Sequence, residues 1–276
     1  MTYREALSQH AIAISTSDSP DMSVLGLSDE HLRDATTEIA RHSLALGARI
    51  AYGGDLRANG FTKLLFELVA RHRRDADEGD ERPGIVNYLA WPVHIQMPLP
   101  ALAAIDEDLK GIAQLALLDL NGEQVSLEER KKSAEQLPTD DEWGRGLTAM
   151  RELATRSTDA RIVLGGRVDG YKGLMPGIAE EALLSLQMRQ PLFLVGGFGG
   201  CTRDIAETIG VIPPWSRVTR DWQGRDGFKA FSAQNMNNGL TPEENSVVAS
   251  TPHIDQAIAL ILRGLLRLTG SVRAPL

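Results

Sequence analysis

Two adjacent carboxylates, Glu180 and Glu181, follow the glycine-rich stretch IVLGGRVDGYKGLMPG and open a predicted helix. Acidic residues in the first turn of a helix commonly stabilise the positive end of its dipole. A carboxylate at this place can also bind ribose hydroxyls or stabilise an oxocarbenium-like transition state. We expect at most one of the pair to face a site, and both roles stay open for Glu181.

Three glycine pairs stand at the ends of predicted strands, and each is followed by the start of a helix. They are Gly53-Gly54, Gly165-Gly166 and Gly196-Gly197, the last continuing through Phe198 and Gly199. Glycine lets a backbone approach a ligand, and a helix N-terminus offers free N–H groups and positive potential. The arrangement favours a phosphate-bearing, nucleotide-like ligand, although each turn could need glycine for packing alone. Neither the dinucleotide fingerprint nor a P-loop is present.

Side chains beside these turns could complete such a site. Arg57 and Arg167 each follow a glycine pair closely and could hold a phosphate through two parallel hydrogen bonds. Each could equally be a surface arginine paired with Asp55 or Asp169. Tyr171 lies between glycines, where its ring could stack on a base or anchor the loop.

Metal and nucleophile chemistry find less support. The six histidines show no metal-ligand spacing, and Cys201 is the one cysteine, so we expect neither a zinc site nor an intramolecular disulfide. No Gly-x-Ser-x-Gly elbow occurs. Cys201 starts a predicted helix, where a small buried packing role is favoured over a reactive thiol. We expect that no cofactor is required.

Composition limits the class of protein. The chain has 276 residues, of which 42% are apolar, with a formal net charge of -8 and a pI near 5.3. The acidic balance argues against general nucleic-acid or membrane-surface binding. Because the N-terminal MTYREALSQH has no apolar signal core and no run is long enough to span a bilayer, we expect a cytoplasmic protein.

Five apolar runs, alternating with helical patterns, must position these residues. The runs are AIAIS, RIAYGG, IVNYLAW, RIVLGG and PLFLVGG. Alternation of this kind predicts an α/β fold: one Rossmann-like domain over residues 1–276, with an open, mainly parallel sheet of about five or more strands and helices on both faces. Ligands of such sheets bind beyond the carboxyl ends of the strands.

Two regions fit the alternation less well. Residues 92–140 are predicted to be an irregular insertion, because PVHIQMPLP is rich in proline, although IAQLALLDLNGEQV could be a strand with an Asn-Gly turn. Residues 211–276 are predicted to be a helical tail. Its apolar helix AIALILRGLLRL could complete the core, which is favoured, or form a dimer interface.

Four stretches resemble a known family: LSDEHLRDAT, AYGGDLRANGFT, GGRVDGYKGLMPGIAEEAL and FLVGGFGG. They are similar to the prokaryotic branch of the SLOG superfamily, which groups DprA/Smf-like proteins, LOG proteins and the ligand-sensing domain of TRPM channels. The resemblance covers about residues 12–210. It implies a Rossmann-like fold that binds nucleotides or derivatives such as ADP-ribose, often as a sensor in bacterial defence or signalling.

The LOG branch contains enzymes that release a base from a nucleoside monophosphate. Their motif is Pro-Gly-Gly-x-Gly-Thr-x-x-Glu, with an arginine from the preceding helix. The resemblance places Gly165-Gly166 at the glycine pair, Gly177 at the later glycine and Glu181 at the catalytic-type glutamate. Arg151 is similar to the LOG arginine.

This sequence departs from the LOG motif in three ways. Leu164 replaces the proline, Ile178 replaces the threonine, and ten residues, RVDGYKGLMP, separate the two glycine elements. Ile178 has no hydroxyl for a phosphate, and the longer loop alters phosphate placement. Binding therefore transfers from the family more directly than hydrolysis does.

Three hypotheses follow. The first is a nucleotide sensor with a small-molecule ligand and an effector protein or a second copy of the chain as further partners. The second is an N-glycosidase that uses Glu181 and Arg151. The third is an interaction scaffold with a vestigial pocket. The predicted ligand-binding set is Ser15, Thr16, Gly53, Gly54, Asp55, Arg57, Gly165, Gly166, Arg167, Tyr171, Gly177, Glu180, Gly196, Gly197, Phe198 and Gly199.

Overall fold

The computed structural model describes residues 5–54, 56, 60–75, 83–215 and 220–271, and shows an α/β sheet with helices around it. The strands are β1 Ala11–Ser17, β2 Arg49–Gly53, β3 Ile85–Leu89, β4 Ala113–Leu118, β5 Gln124–Val125, β6 Ala160–Gly165 and β7 Leu192–Val195. The five strands predicted from the apolar runs are confirmed as β1, β2, β3, β6 and β7.

Helices separate most of these strands. They are α1 Asp29–Ala45, α2 Phe61–Asp75, α3 Trp91–His94, α4 Leu99–Asp108, α5 Leu127–Arg130, α6 Asp140–Arg156, α7 Gly177–Gln187, α8 Gly200–Thr208, α9 Pro242–Ser250 and α10 Ile254–Ser271. Short 3₁₀ turns cover 196–198, 225–230 and 233–236. None of the helices among the described residues is long and apolar enough to cross a membrane.

The seven strands form one sheet in the order β5-β4-β3-β2-β1-β6-β7. Every pair is parallel except β4 and β5. The chain therefore builds outward from β1 and then returns to add β6 and β7 on the other side. The order reverses between β1 and β6, where open α/β sheets leave a crevice at the carboxyl ends of the strands.

Strand β6 shows how both faces of the sheet are covered. Ile162 and Leu164 pack in the core formed with α1 and α10, while Val163 between them packs with α7 and α8. Successive side chains of a strand point to opposite faces, so a strand covered on both sides is mostly apolar. The prediction of helices on both faces is confirmed.

The prediction of an irregular insertion at about 92–140 is wrong. The segment contains α3, α4 and α5, and its strand β4 pairs in parallel with β3 inside the sheet. The prolines do not prevent helices, because Pro92 and Pro100 lie in the first turns of α3 and α4, where a missing N–H costs nothing. The predicted strand with an Asn-Gly turn is confirmed as the β4–β5 hairpin.

The tail helix α10 packs its apolar side against the sheet. Ile258, Ile261 and Leu265 are buried in the same core as α1 and β1. The opposite side carries the exposed Leu266. The interpretation that this helix completes the core is confirmed, and a second role as a dimer interface stays a prediction.

Candidate functional site

Backbone hydrogen bonds join three strand ends at the point where the strand order reverses. The N–H of Gly166, directly after β6, donates to the carbonyl of Ser17 at the end of β1 over 3.0 Å. The carbonyl of Gly166 accepts from the N–H of Cys201 in α8 over 3.0 Å. The loops after β1, β6 and β7 are therefore held as one continuous edge, which we call the ligand edge.

The first glycine pair to reach this edge, Gly165-Gly166, is packed between neighbouring chain segments. A Cβ on Gly165 would lie 2.4 Å from the Ser17 carbonyl oxygen, and one on Gly166 would lie 2.4 Å from the Cys201 sulfur. Gly166 also has a φ of +108°, a conformation that side chains disfavour. Internal packing thus accounts for both glycines, and their contact with a ligand stays a prediction.

The glycines after β7 pack against the end of α9. A Cβ on Gly196 would lie 2.4 Å from the carbonyl oxygen of Ala249, and one on Gly197 would lie 1.9 Å from that of Thr251. Phe198 is buried in the core beneath them. The close approach that glycine permits is used here by the protein's own backbone.

An aspartate occupies the N-terminus of α8. Asp21, in the loop after β1, accepts a hydrogen bond from the N–H of Gly200 over 2.7 Å. Its two oxygens also accept from Arg220, each over 2.8 Å, and Arg220 donates to Asp204 over 2.9 Å. Trp222 completes the group by donating to Asp204 over 3.2 Å. The anion that this helix start favours is thus supplied by a side chain of the protein.

Gly199 is shaped by the same contact. A Cβ on Gly199 would lie 2.5 Å from the Cβ of Asp21. The loop after β7 therefore closes onto the loop after β1 at this glycine. Its predicted contact with a ligand would require space that Asp21 now fills.

Arg151 and Glu180 form a buried ion pair between α6 and α7. A guanidinium nitrogen of Arg151 contacts a carboxylate oxygen of Glu180, and Thr148 donates to the other oxygen. Arg151 also lies against the start of α7, since a Cβ on Gly177 would be 2.7 Å from its Nη2. The structure thus brings the LOG-like arginine to Glu180 rather than to Glu181.

Glu181 has a different environment from its neighbour. One carboxylate oxygen lies 3.6 Å from Nη1 of Arg161. The same oxygen lies 3.7 Å from the place that a Cβ would take if Gly53, at the end of β2, had a side chain. Its side chain is 10% exposed. No hydrogen bond to this carboxylate occurs within the part of the chain that the structure describes, and its contact with a ligand stays a prediction.

Arg161 lies beneath Glu181 and was not among the residues expected from the sequence. It is 1% exposed on β6. Its three nitrogens donate to Ser15 over 2.7 Å, to Ser185 over 3.0 Å and to Thr155 over 3.0 Å. Burial lowers the pKa of the Arg161 guanidinium, and the negative charge of Glu181 opposes this shift. The sequence contained one signal that could have identified Arg161: it is a charged residue within a strand predicted to be covered on both faces, where charged residues are rare.

Ser15 and Thr16 at the end of β1 are both buried. The Ser15 hydroxyl is the acceptor for Arg161, and the Thr16 hydroxyl accepts from Thr36 of α1 over 3.2 Å. The two side chains point to opposite faces of the sheet. The structure therefore uses both inside the fold, and contact with a ligand stays a prediction.

Two predicted residues lie at the exposed rim of the ligand edge. Arg167 pairs with Asp18, and both side chains are about half exposed. Asp169, a partner considered from the sequence, does not pair with this arginine, and Asp55 lies outside the described residues. Tyr171 is partly buried in the loop 167–176, next to Lys172, whose Nζ lies 4.8 Å from the ring centre of Trp143.

The glycine pair at the end of β2, Gly53-Gly54, is described, but the residues directly after it are described only in part. Gly54 lies against the side chain of Tyr52, since a Cβ there would be 2.1 Å from the tyrosine ring. Asp55 and Arg57, both predicted to bind ligand, lie outside the described residues. Their roles stay predictions.

The remaining chemistry of the edge is limited. Cys201 is fully buried, and burial raises the pKa of its thiol well above the ordinary value. The expected packing role of Cys201 is confirmed. No group of three or more His, Cys, Asp or Glu side chains that could hold a metal ion occurs among the residues described.

The geometry joins residues that the sequence suggested to residues that it did not. Arg161 contacts Ser15 and Glu181, and Glu181 in turn lies near Gly53, whereas Gly196 and Gly197 pack against the end of α9. A family model described as SLOG cluster2 matches residues 6–248 of the chain. No curated protein matches it.

Proposed function

The chain belongs to the SLOG cluster2 family, and from that premise we propose that it is a sensor that binds a nucleotide or a nucleotide derivative of the ADP-ribose class at the ligand edge. The observation that carries this proposal is the carboxylate of Glu181. It faces the backbone of Gly53 beside the reversal of strand order and makes no hydrogen bond with the described residues.

An ionised carboxylate accepts hydrogen bonds and donates none. The natural partners of Glu181 are therefore paired hydroxyls, such as those of a ribose. The phosphates of the same ligand would lie away from this carboxylate, toward the rim where Arg167 is half exposed. A molecule with both ribose and phosphate suits this division.

Two features of the site favour ligand binding over ligand cleavage. Arg151 is committed to Glu180 and packed against Gly177, so its guanidinium is not open to a substrate phosphate. The threonine of the LOG motif is replaced by Ile178, which is buried in the core. Both features remove phosphate contacts that the family's hydrolases supply.

The N-glycosidase hypothesis remains the second candidate because Glu181 occupies the position of the catalytic-type glutamate. In that reaction water adds a hydroxyl to the anomeric carbon as the C–N bond breaks. The base leaves with the bonding electrons and takes up a proton. Glu181 would stabilise the positive charge that develops on the sugar.

A sensor also needs a receiver, so an effector protein or a second copy of this chain belongs to the proposal. A cytoplasmic location also belongs to the proposal. It is supported by the single cysteine, because a chain with one cysteine has no intramolecular disulfide, as is usual for proteins of that reducing compartment. An interaction scaffold without a ligand is the outcome that would replace both functional hypotheses.

A thermal-shift screen with mass-spectrometric readout tests the proposal. The ligands are AMP, IMP, NAD, ADP-ribose and cyclic ADP-ribose. A ligand at a hundred times its Kd stabilises the fold by about 2.7 kcal/mol, a readable shift. A shift with unchanged ligand mass supports the sensor, a shift with released base supports the glycosidase, and no shift with any ligand contradicts both.

Matched variants locate the site. Glu181→Gln keeps the size of the side chain and removes its charge, so we expect it to weaken binding. Glu243→Gln makes the same change on the exposed first turn of α9. Equal binding by both variants would place the ligand away from Glu181.

A further inference from the structure

We propose that Arg161 is a positioning residue for ligand recognition: a buried cation that fixes the Glu181 carboxylate toward Gly53 and leaves its oxygens for ligand hydroxyls. The proposal rests on the proposed function, because it concerns how that site is held. It assigns to β6 a role beyond building the sheet.

The buried charge of Arg161 carries a free-energy cost. Arg161 is 1% exposed, and an arginine does not lose its proton under ordinary conditions. Burying a charge is costly unless it is paired and hydrogen-bonded. Its neighbours Ile162 and Val163 show that apolar side chains fill this strand well. Sheet packing alone therefore does not call for an arginine here.

The guanidinium of Arg161 is held by neutral groups from three elements. Ser15 of β1, Thr155 of α6 and Ser185 of α7 each accept from a different nitrogen. Hydroxyls orient the guanidinium without neutralising it. The positive charge therefore remains to act on Glu181, its carboxylate partner within the described structure.

A further amide fixes this arrangement from behind. Ser185 donates to Gln190 over 2.7 Å, and the Gln190 amide donates to the carbonyls of Thr155 and Thr158 over 3.0 and 2.7 Å. Two of the three acceptors of Arg161 are thus tied to each other. The guanidinium has a fixed place before any ligand arrives.

The distance between the Arg161 and Glu181 charges is longer than a hydrogen bond. Arg161 Nη1 and Glu181 Oε1 are 3.6 Å apart, whereas charge-assisted hydrogen bonds of this kind span about 2.7–2.9 Å. The arginine attracts the carboxylate without taking its lone pairs. By contrast, the two carboxylate oxygens of Glu180 accept hydrogen bonds from Arg151 and Thr148. Adjacent glutamates are thereby divided into a structural one and a ligand-facing one.

The test compares Arg161→Met, Arg161→Lys, Glu181→Gln and the double variant R161M/E181Q. Calorimetry measures affinity for ADP-ribose, and the ratio of affinities for AMP and 2′-deoxy-AMP measures recognition of the ribose hydroxyl. We expect R161M to weaken ADP-ribose binding about tenfold or more, as loss of a hydrogen bond to a charged group does. We expect it to lower the AMP preference to the value of E181Q.

Two comparisons separate positioning from simple structural support. Arg161→Lys keeps the charge and should recover part of both the affinity and the AMP preference. The double variant should bind no worse than E181Q alone, because Arg161 acts through Glu181. Wild-type AMP preference in R161M, or additive losses in the double variant, would overturn the proposal.

A milder variant keeps the proposal testable if R161M does not fold. Thr155→Val removes one acceptor of the guanidinium at nearly constant volume, and we expect it to lower the AMP preference with the fold intact. Unchanged preference in T155V would count against the proposal.

Failure of the proposed function gives a separate result. If the wild type binds none of the probes, urea unfolding of the wild type, R161M, E181Q and the double variant still measures the coupling between positions 161 and 181. Non-additive stabilities then support the positioning of Glu181, and additive ones refute it.

Discussion

Asp21 and Arg220 meet fork to fork, with both carboxylate oxygens of one 2.8 Å from the two terminal nitrogens of the other. The same carboxylate receives the N–H of Gly200 at the start of α8. This ion pair therefore connects the loop after β1 to the chain beyond α8. It lies beside the loop after β7, which is one part of the ligand edge. Its geometry is the one that arginine and helix starts offer to phosphates.

Asp21→Ala should lower the free energy of unfolding by about 1.5–3 kcal/mol, because it removes charge-assisted hydrogen bonds at a largely buried place. Asp18→Ala is the control from the same loop. Asp18 pairs with Arg167 in a half-exposed position, where ion pairs contribute about 0–1 kcal/mol. Urea unfolding compares the two variants, and an equal effect would contradict the structural role of Asp21.

We expect Arg151→Met to act first on the free energy of unfolding and only secondarily on ligand affinity. It leaves Glu180 buried without its cation, a change that costs about 3–5 kcal/mol. Arg145→Met on the exposed side of the same helix should cost little. Replacing both partners, as in R151M/E180L, should recover much of the loss, and a further loss in the double variant would speak against the pair.

Gly166→Ala should be far more damaging than Gly170→Ala. Both residues have positive φ, +108° and +58°, so each variant bears a backbone cost of about 1–2 kcal/mol. Only at Gly166 would the new Cβ meet a neighbour, the Cys201 sulfur. Melting temperatures measure the difference, and Cys201→Ala in the G166A background should restore part of it.

His94 should make stability fall in mild acid. Burial lowers the pKa of this imidazole below its ordinary 6.5, the hydrogen bond to the Leu118 carbonyl opposes that shift, and the charge of Arg130 adds to it. The unfolded chain therefore binds a proton at pH values where the folded chain does not. Stability is full above pH 6.5 and declines as the pH falls below it.

The measurement for His94 is urea unfolding between pH 5 and 7.5. His94→Gln can still donate to Leu118 but has no imidazole to protonate, so its stability should depend less on pH over this range. The same slope in both proteins would show that another group sets it.

Patterns that depend on nearby residues were readable from the sequence. Helix α1 begins after Ser28 and ends before Gly47, residue types common at helix ends, and its buried positions Leu32, Ala35 and Ile39 follow helical spacing. The strand–helix alternation likewise predicted the sheet. The prolines of 92–140 misled because the same residue that interrupts a helix also begins one, and position decides which.

The site depends on contacts that sequence spacing does not contain. Arg161 finds its acceptors at positions 15, 155 and 185, which only the folded sheet brings together. Glu180 and Glu181 differ by about 100° around their helix, so the rotation of α7 decides which one meets Arg151. That rotation is set by the packing of Ile178 and Ala182 in the core, and not by the glutamates.

The loop 167–176 begins and ends at fixed points. Gly166 is bonded on both sides, to Ser17 and to Cys201, and Gly177 is pressed against Arg151. Between these anchors the open place is Gly170, and we expect a change there to leave both anchors unmoved. This makes the loop a natural place to graft: a short tag or a fluorescent label inserted at Gly170, where nothing lies within 4 Å of a Cβ, would report on the ligand edge while leaving the sheet in register.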